Sequence, residues 1–239
     1  MYKVVSLFSG CGGADQGIVG NFMFNNKKYN RLPFELVYAT DIDQKALNSH
    51  MKNFECEKVV CKDICETGSE EIPECDIVVG GFPCQSFSTV NPTKDPFDDR
   101  ANLYKQMVRV VKDKQPKVFI AENVKGMMTL HKGQIFERII KAFEEVGYTT
   151  YTKLFNAADY GVPQIRKRLI FMGIREDIGK PEFPEIKFTP EDYRTCRDAV
   201  SDLPSLVDNL GSEEAEYICD PKTEYQKLMR GNCDVLHNH

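Results

Sequence analysis

The sequence predicts an α/β domain, doubly wound around a mostly parallel sheet of seven strands. Three observations predict it. Short apolar, β-branched runs alternate with segments of helical period through the first two-thirds of the chain. Those runs end on glycines or carboxylates, where an open α/β sheet presents its loops to a ligand. At 239 residues and 41% hydrophobic residues, the chain can bury one large core plus a smaller second region.

The elements follow in order. Lys3–Phe8 is apolar and runs into the glycine turn "FSGCGG". Glu35–Asp41 is a second strand, closing on a carboxylate. Gln44–Phe54 has helical spacing at Ala46, Leu47, His50, Met51 and Phe54. Lys58–Asp63 and Asp76–Val79 are the third and fourth strands. Leu103–Gln115 reads as a helix with Met107, Val108 and Val111 on one face, stopped by Pro116. "KVFIAENV" is the fifth strand. Gly133 to Gly147 is an amphipathic helix with a glycine stop. Thr149–Phe155 and Leu169–Ile174 complete the seven. Strands alternating with helices imply right-handed crossovers and a parallel sheet covered on both faces. Residues 1–180 are assigned to this domain. Residues 181–239 are proline-rich at first, hold one short helical stretch in "RTCRDAVSDLPSL", and then show no sustained period. They read as the beginning of a smaller region.

Bulk composition excludes several classes. No apolar run approaches the ~18 residues of a membrane span. The early glycine cluster is unlike a signal peptide, so a cytoplasmic protein is expected. A net charge of −5 argues against broad, non-specific nucleic-acid binding by this chain alone, and leaves room for a local basic cleft. Nine cysteines are an odd number, and the chain is no short secreted domain, so no disulfide framework is expected. Cys56, Cys61, Cys65 and Cys75 cluster in sequence, but without C-x-x-C spacing or a nearby histidine. They read as reduced, mostly buried thiols, and no metal is expected.

The strand ends carry the chemistry. Glycines after the first strand let a ligand approach the backbone, although the pattern is not G-x-G-x-x-G. Asp41, after the second strand, is placed to take two ribose hydroxyls. Asp63, after the third, can accept from an adenine amino group, with Ile42 and Ile64 as apolar walls. In strand order these describe a pocket for an adenosine-containing cofactor. NAD and S-adenosylmethionine both satisfy it. The fourth strand runs into "GGFPCQSFS", which sets Cys84 just past Pro83. Glu122 and Asn123 close the fifth strand, and Arg166 and Arg168 share a parity just before the seventh.

With "FSGCGG", "TDID", "KDI", "GGFPCQSFS", "ENVKGM" and "QIRKR" in this order, the chain resembles the cytosine carbon-5 DNA methyltransferases of bacteria as far as about Arg175. "RTCRDAVSDLP" resembles the opening of that family's target-recognition region. The resemblance implies the S-adenosylmethionine-dependent methyltransferase fold. It also implies transfer of a methyl group from S-adenosylmethionine to carbon 5 of a flipped cytosine in double-stranded DNA, within a restriction-modification system. It makes Cys84 the nucleophile, with Glu122 on the base's ring nitrogen and amine, Arg168 on its carbonyl, and Arg166 bracing the Cys84 loop. It assigns Phe8, Gly10, Gly12, Gly13, Asp41, Ile42, Asp63, Ile64, Pro83 and Leu103 to the cofactor, whose product is S-adenosylhomocysteine. Gln85, Ser86, Ser88, Arg100, Asn123 and Gln164 are expected to face DNA, with Gln85–Tyr104 as a loop closing over it.

Two departures stand out. Ile42 follows the ribose carboxylate where some relatives have tryptophan. The family's closing Gly-Asn-Ala-Val-type segment is not found, since "GNC" at Gly231 lacks its flanks. A second polypeptide supplying that segment is therefore an expected partner, or else the chain is a shortened one. Three rival readings remain: a tRNA cytosine-5 methyltransferase, a cofactor-binding subunit without catalysis, and a nicotinamide-dependent oxidoreductase. The last leaves Cys84, Glu122 and the paired arginines without a role.

Overall fold

A computed structural model describes residues 1–24, 27–83, 103–205, 213–231 and 233–237. The chain divides into two compact units. The first comprises Met1–Asn21, Asn30–Phe155 and Lys167–Phe183, and the second Phe22–Tyr29, Asn156–Arg166 and Pro184–His239.

The first unit is built on β1 (Tyr2–Leu7), β4 (Phe34–Asp41), β5 (Val59–Cys61), β6 (Ile77–Gly80), β7 (Val118–Val124), β8 (Tyr148–Asn156) and β9 (Lys167–Arg175). They form one seven-stranded sheet in the order β5-β4-β1-β6-β7-β9-β8. Pairings from β5 through β7 are all parallel. Val4, Val5, Ser6 and Leu7 of β1 are all buried, because helices cover both faces; that is why the strand reads as a continuous apolar run.

β9 runs antiparallel to β7, pairing Glu122 with Ile170 and Val124 with Arg168. Periodicity did not reveal this reversal. Its consequence is spatial: the amino end of β9 lies beside the carboxyl end of β7. Phe119 pairs with Gly173 in this ladder. The Phe119 ring occupies the space above Gly173, where a Cβ would sit 1.7 Å from it. Phe119 also stacks on Phe143 at 3.9 Å between ring centroids.

The helices follow the apolar spacing. α1 (Gly13–Val19) and α2 (Gln44–Asn53) flank the first strands. Asp43 caps α2, its Oδ1 accepting from the amides of Lys45 and Ala46. α3 (Leu103–Lys114) buries Tyr104, Met107, Val110 and Val111. α4 (Gln134–Glu144) buries Ile135, Ile139 and Phe143, a stripe of spacing four. Each fully buried aliphatic or aromatic side chain contributes roughly 1.5–3 kcal/mol relative to exposure.

Several short elements had no counterpart in the sequence reading. β2 (Gly20–Phe24) and β3 (Lys27–Arg31) form a two-stranded sheet, and Phe22 stacks on Tyr29 at 4.7 Å. The second unit holds α5 (Cys196–Val200), inside the short helical stretch expected in "RTCRDAVSDLPSL", and, without counterpart, α6 (Glu224–Arg230) and an antiparallel pair, β10 (Glu214–Glu216) with β11 (Val235–His237). Three-residue strands are too short to show an alternation. α6 did carry a signal, the capping box of Thr223 with Gln226.

The cysteines need one correction. Cys61 and Cys65 are exposed, and Cys56 and Cys75 are half-buried; all four are free thiols. Cys61 is the last residue of β5, a three-residue edge strand, and Cys65 lies in the turn after it, which leaves both open to water. Cys75 is the most confined, and burial pushes its thiol up to about 12. Among the described residues no group of three or more potential ligands can hold a metal ion. None of their helices is long and apolar enough to cross a membrane.

Candidate active site

The glycine turn after β1 begins with strain. Phe8 has φ = 54° and Gly10 φ = 52°; for phenylalanine the left-handed region costs about 1–2 kcal/mol. What holds the turn is Asp41, at the end of β4. Its Oδ2 accepts from the Gly10 amide at 2.9 Å and its Oδ1 from the Asp43 amide at 2.9 Å. The Ser9 amide donates to the Thr40 carbonyl at 3.0 Å. One carboxylate thus joins the ends of two parallel strands. Each of its oxygens keeps a second acceptor site for a ligand hydroxyl.

Beyond these strand ends lies a hollow of about 210 Å³. Phe8, Asp41, Ile42, Asp63, Ile64, Pro83 and Leu103 line it, all of them expected there, and so do Thr40, Lys62 and Gly81, which sequence reasoning missed. Lys62 stood in view beside Asp63, and Gly81 beside Phe82. Asp63 is oriented by the Cys65 amide, which donates to its Oδ1 at 2.8 Å. Ile64 is buried, whereas Ile42 is 74% exposed and covers the hollow from one side only. Lys62 pairs with Glu71 at 2.8 Å; the shared hydrogen bond holds the Glu71 carboxyl below its usual range and the Lys62 ammonium above its own.

Gly10, Gly12 and Gly13 are not among the lining residues. Gly10 contributes through its bond to Asp41. Gly12, at φ = 90°, is required by packing: a Cβ there would lie 2.2 Å from Phe54. Beneath the turn, His50 of α2 and Asp15 of α1 form a buried pair at 2.9 Å, and Ser6 donates to the same Asp15 oxygen at 3.1 Å. This anchor of both helices was also missed.

A larger hollow, of about 620 Å³, opens at the other end of β4 and β5, among Arg31, Glu35, Met51, Phe54, Glu55 and Glu57. It holds no carboxyl end of a strand of the seven-stranded sheet, no glycine turn and no residue of the motifs. Size is therefore a poor guide here, and the smaller hollow is the candidate site.

Next to that hollow, Arg168 Nε meets Glu122 Oε1 at 2.6 Å. The two side chains are 27% and 43% exposed. A pair so open to water contributes only ~0–1 kcal/mol to stability, so folding alone does not account for it. A Cβ on Gly81 would lie 3.3 Å from the other Glu122 oxygen, which sets this carboxylate against the loop leading to Cys84. Asn123 holds the same loop, its Nδ2 donating to the Phe82 carbonyl at 2.9 Å while its Oδ1 accepts from the Val124 amide. Asn123 is only 3% exposed. The expectation that it faces DNA is therefore corrected: its amide is spent inside the chain, bracing Phe82.

Arg166 and Gln164 are exposed and belong to the second unit, where the Arg166 carbonyl accepts from the Ala157 amide at 3.0 Å. Cys84, Gln85, Ser86, Ser88 and Arg100 lie outside the described residues. Pro83, which precedes Cys84 in sequence, lines the hollow, as does Leu103.

A glycine turn tied to a strand-end carboxylate, a second acid at the next strand end and a seven-stranded sheet in which β9 runs against β7 define a class, the α/β methyltransferases. A family model described as C-5 cytosine-specific DNA methylase matches residues 2–234, and the chain belongs to that family. It is 39% identical over 203 residues to the type II methyltransferase M.FnuDI of Fusobacterium nucleatum, covering 84% of this chain and 55% of that protein. It is likewise 39% identical over 217 residues to M.NgoFVII of Neisseria gonorrhoeae, covering 87% and 54%. Among solved structures, a protein from an E. coli prophage described as a DNA modification methyltransferase superposes with a TM-score of 0.69 at 27% identity, over 99% of this chain and 70% of that one. The chain spans about half the length of the curated relatives it matches.

Proposed function

We propose that this chain carries the cofactor-binding and catalytic part of a DNA (cytosine-5) methyltransferase of a restriction-modification system. The observation that carries the reading is the Glu122–Arg168 pair, set against Gly81 and beside a hollow bearing Asp41 and Asp63. Family membership and the type II relatives support the same conclusion.

The hollow fits an adenosine-containing methyl donor. Asp41 keeps acceptor capacity for ribose hydroxyls, Asp63 for an adenine amine, and Phe8, Ile64 and Leu103 supply apolar sides. S-adenosylmethionine, when bound, supplies an electrophilic methyl group on sulfonium. The chain's own residues do the rest. The Cys84 thiolate adds to carbon 6 of cytosine, forming a carbon–sulfur bond and making carbon 5 nucleophilic. Glu122 bonds ring nitrogen 3 and the exocyclic amine, and Arg168 the ring carbonyl, which favours the charge that develops during attack. After methylation, loss of the carbon-5 proton to a base and cleavage of the carbon–sulfur bond release the product. A cytosine inside a duplex is out of reach of such a site, so the base is flipped. Gln164 and the segment holding Gln85, Ser86, Ser88 and Arg100 are the proposed DNA-facing groups. Residues 181–239 are proposed as the start of a target-recognition region, which a further polypeptide segment completes.

The test is transfer of tritiated methyl to double-stranded DNA and, separately, to tRNA, by the chain with and without the carboxyl-terminal half of a type II relative. Label is expected on DNA cytosine and none with Cys84→Ala. Wild-type activity of Cys84→Ala would overturn the mechanism; label on tRNA alone would overturn the substrate.

A further inference from the structure

The loop from Asp63 to Glu71 forms one wall of the hollow and has little regular structure of its own. One side chain ties it at three residues, Ile64, Thr67 and Ser69. Arg109, midway along α3, uses all three guanidinium nitrogens: Nη2 donates to the Ile64 carbonyl at 3.0 Å and the Thr67 carbonyl at 2.9 Å, Nη1 to Ser69 Oγ at 2.8 Å, and Nε to Gln106 Oε1 at 2.9 Å. Ile64 and Thr67 are buried, so water cannot readily replace the guanidinium at their carbonyls. α3 begins at Leu103, on the opposite side of the same hollow. One arginine thus joins two walls of the site through a rigid planar fork.

We infer that Arg109 is a positioning residue that sets the adenine-reading wall of the hollow, and hence the preference for a 6-amino purine. This rests on the cofactor reading above. The path is short. Arg109 fixes the Ile64 carbonyl, and Asp63 precedes Ile64. The turn is closed by Thr67 Oγ1 donating to the Asp63 carbonyl at 2.9 Å and by the Cys65 amide donating to Asp63 Oδ1. The loop has further ties at its far end: Glu71 accepts from Lys62 and from the Gly68 amide at 2.9 Å, its carbonyl accepts from Lys58, and Ser69 donates to Asp113 of α3. Those ties act away from Asp63, whereas at the Ile64 carbonyl Arg109 joins only the Thr67 amide, which donates to it at 3.3 Å. Lysine cannot substitute, because one ammonium cannot span four acceptors that a guanidinium reaches as a fork.

The test measures binding by calorimetry on the full chain, using S-adenosylhomocysteine and its 6-oxo counterpart, S-inosylhomocysteine. Wild type is expected to bind both and to prefer the first, since the Asp63 carboxylate accepts from an amine and is repelled by the oxo oxygen that replaces it. Arg109→Met is expected to weaken S-adenosylhomocysteine about tenfold and bring the ratio of the two affinities close to one, with Arg109→Lys in between. Circular dichroism at the same temperature establishes folding; if Arg109→Met does not fold, Arg109→Lys is judged by the same criteria. A folded variant that binds both ligands as wild type does, or weakens both by one factor and keeps the preference, overturns the inference. Wild type binding neither ligand overturns the cofactor reading, and this inference with it. Wild type binding both equally overturns the assignment of adenine readout while leaving cofactor binding intact.

Discussion

The two sides of the sheet solve different problems. On one side, β5, β4, β1 and β6 run parallel, so their carboxyl ends finish together and offer loop backbone, glycines and acids to a shared hollow. On the other, β7 and β9 run antiparallel, so the end of one strand meets the start of the next and Glu122 finds Arg168. Parallel strands gather a pocket. An antiparallel crossing gathers a pair of opposite charges. The difference teaches that the hollow and the charge pair depend on different strand directions, so on the proposed reading binding and chemistry should be open to separate disruption.

The sharpest way to break that separation is Glu122→Gln. It is expected to lower methyl transfer by about 10²–10³-fold, as loss of one transition-state contact does, while S-adenosylhomocysteine binds as before. Equal loss of ligand binding, read by calorimetry, would show that the two halves act as one. The reciprocal change is Asp41→Ala, expected to weaken S-adenosylhomocysteine about tenfold or more, because the Gly10 and Asp43 amides lose their acceptor along with the ribose. The Glu122–Arg168 pair should survive it, visible as an unchanged effect of Arg168→Ala on DNA methylation at saturating cofactor.

Gly173→Ala probes the antiparallel half by packing alone. The new methyl meets the Phe119 ring, and overpacking of about 1–3 kcal/mol should appear as a lower urea midpoint, with ligand affinity of the folded protein unchanged. The smallest effect is at the closed end of the sheet, where Asp76 ties both halves. It accepts from Lys117 Nζ at 2.8 Å and the Lys3 amide at 2.9 Å, which hold its carboxyl below the usual range. A depressed carboxyl stabilises the fold above its unfolded pKa of ~3.9, and that contribution is lost as pH falls through the lower, folded value. Asp76→Asn should therefore cost about 1 kcal/mol or less near neutrality, given the exposure of Lys117, and nothing once the wild-type carboxyl is protonated. Urea midpoints of both proteins across acidic pH check this; a constant difference down to the lowest pH would remove Asp76 as its cause.

Much of the site was legible in the sequence, for identifiable reasons. Asp41, Asp63 and Ile64 stood out because they end apolar runs, and seven of the ten expected cofactor residues do line one hollow. The glycines were legible as a turn but not as to purpose: Gly12 makes room for Phe54, a contact 42 residues away in sequence that no spacing announces. Asn123 was misread because a polar residue at a strand end resembles a ligand contact until burial is known. Thr40, Lys62 and Gly81 stand inside the quoted motifs but beside residues with plainer ligand chemistry, and Arg109 stands in none, since its partners come together only in the fold. His50 and Asp15 were invisible for the same reason, being two ordinary helix residues that meet only when α1 and α2 pack.

By itself the sequence determined the order of the seven sheet strands and the strand-end acids, because burial on both faces of a parallel sheet writes continuous apolar runs with polar stops; the family it showed through motifs in a fixed order. Only the tertiary structure decided which strand is reversed, which of the two hollows bears the motifs, and which polar side chains are already committed inside the chain. Strand direction leaves no mark on side-chain periodicity, and a hydrogen bond across 30 or 40 residues leaves none on local composition. Those are the facts that set Arg168 against Glu122 and tie Arg109 to the wall that carries Asp63.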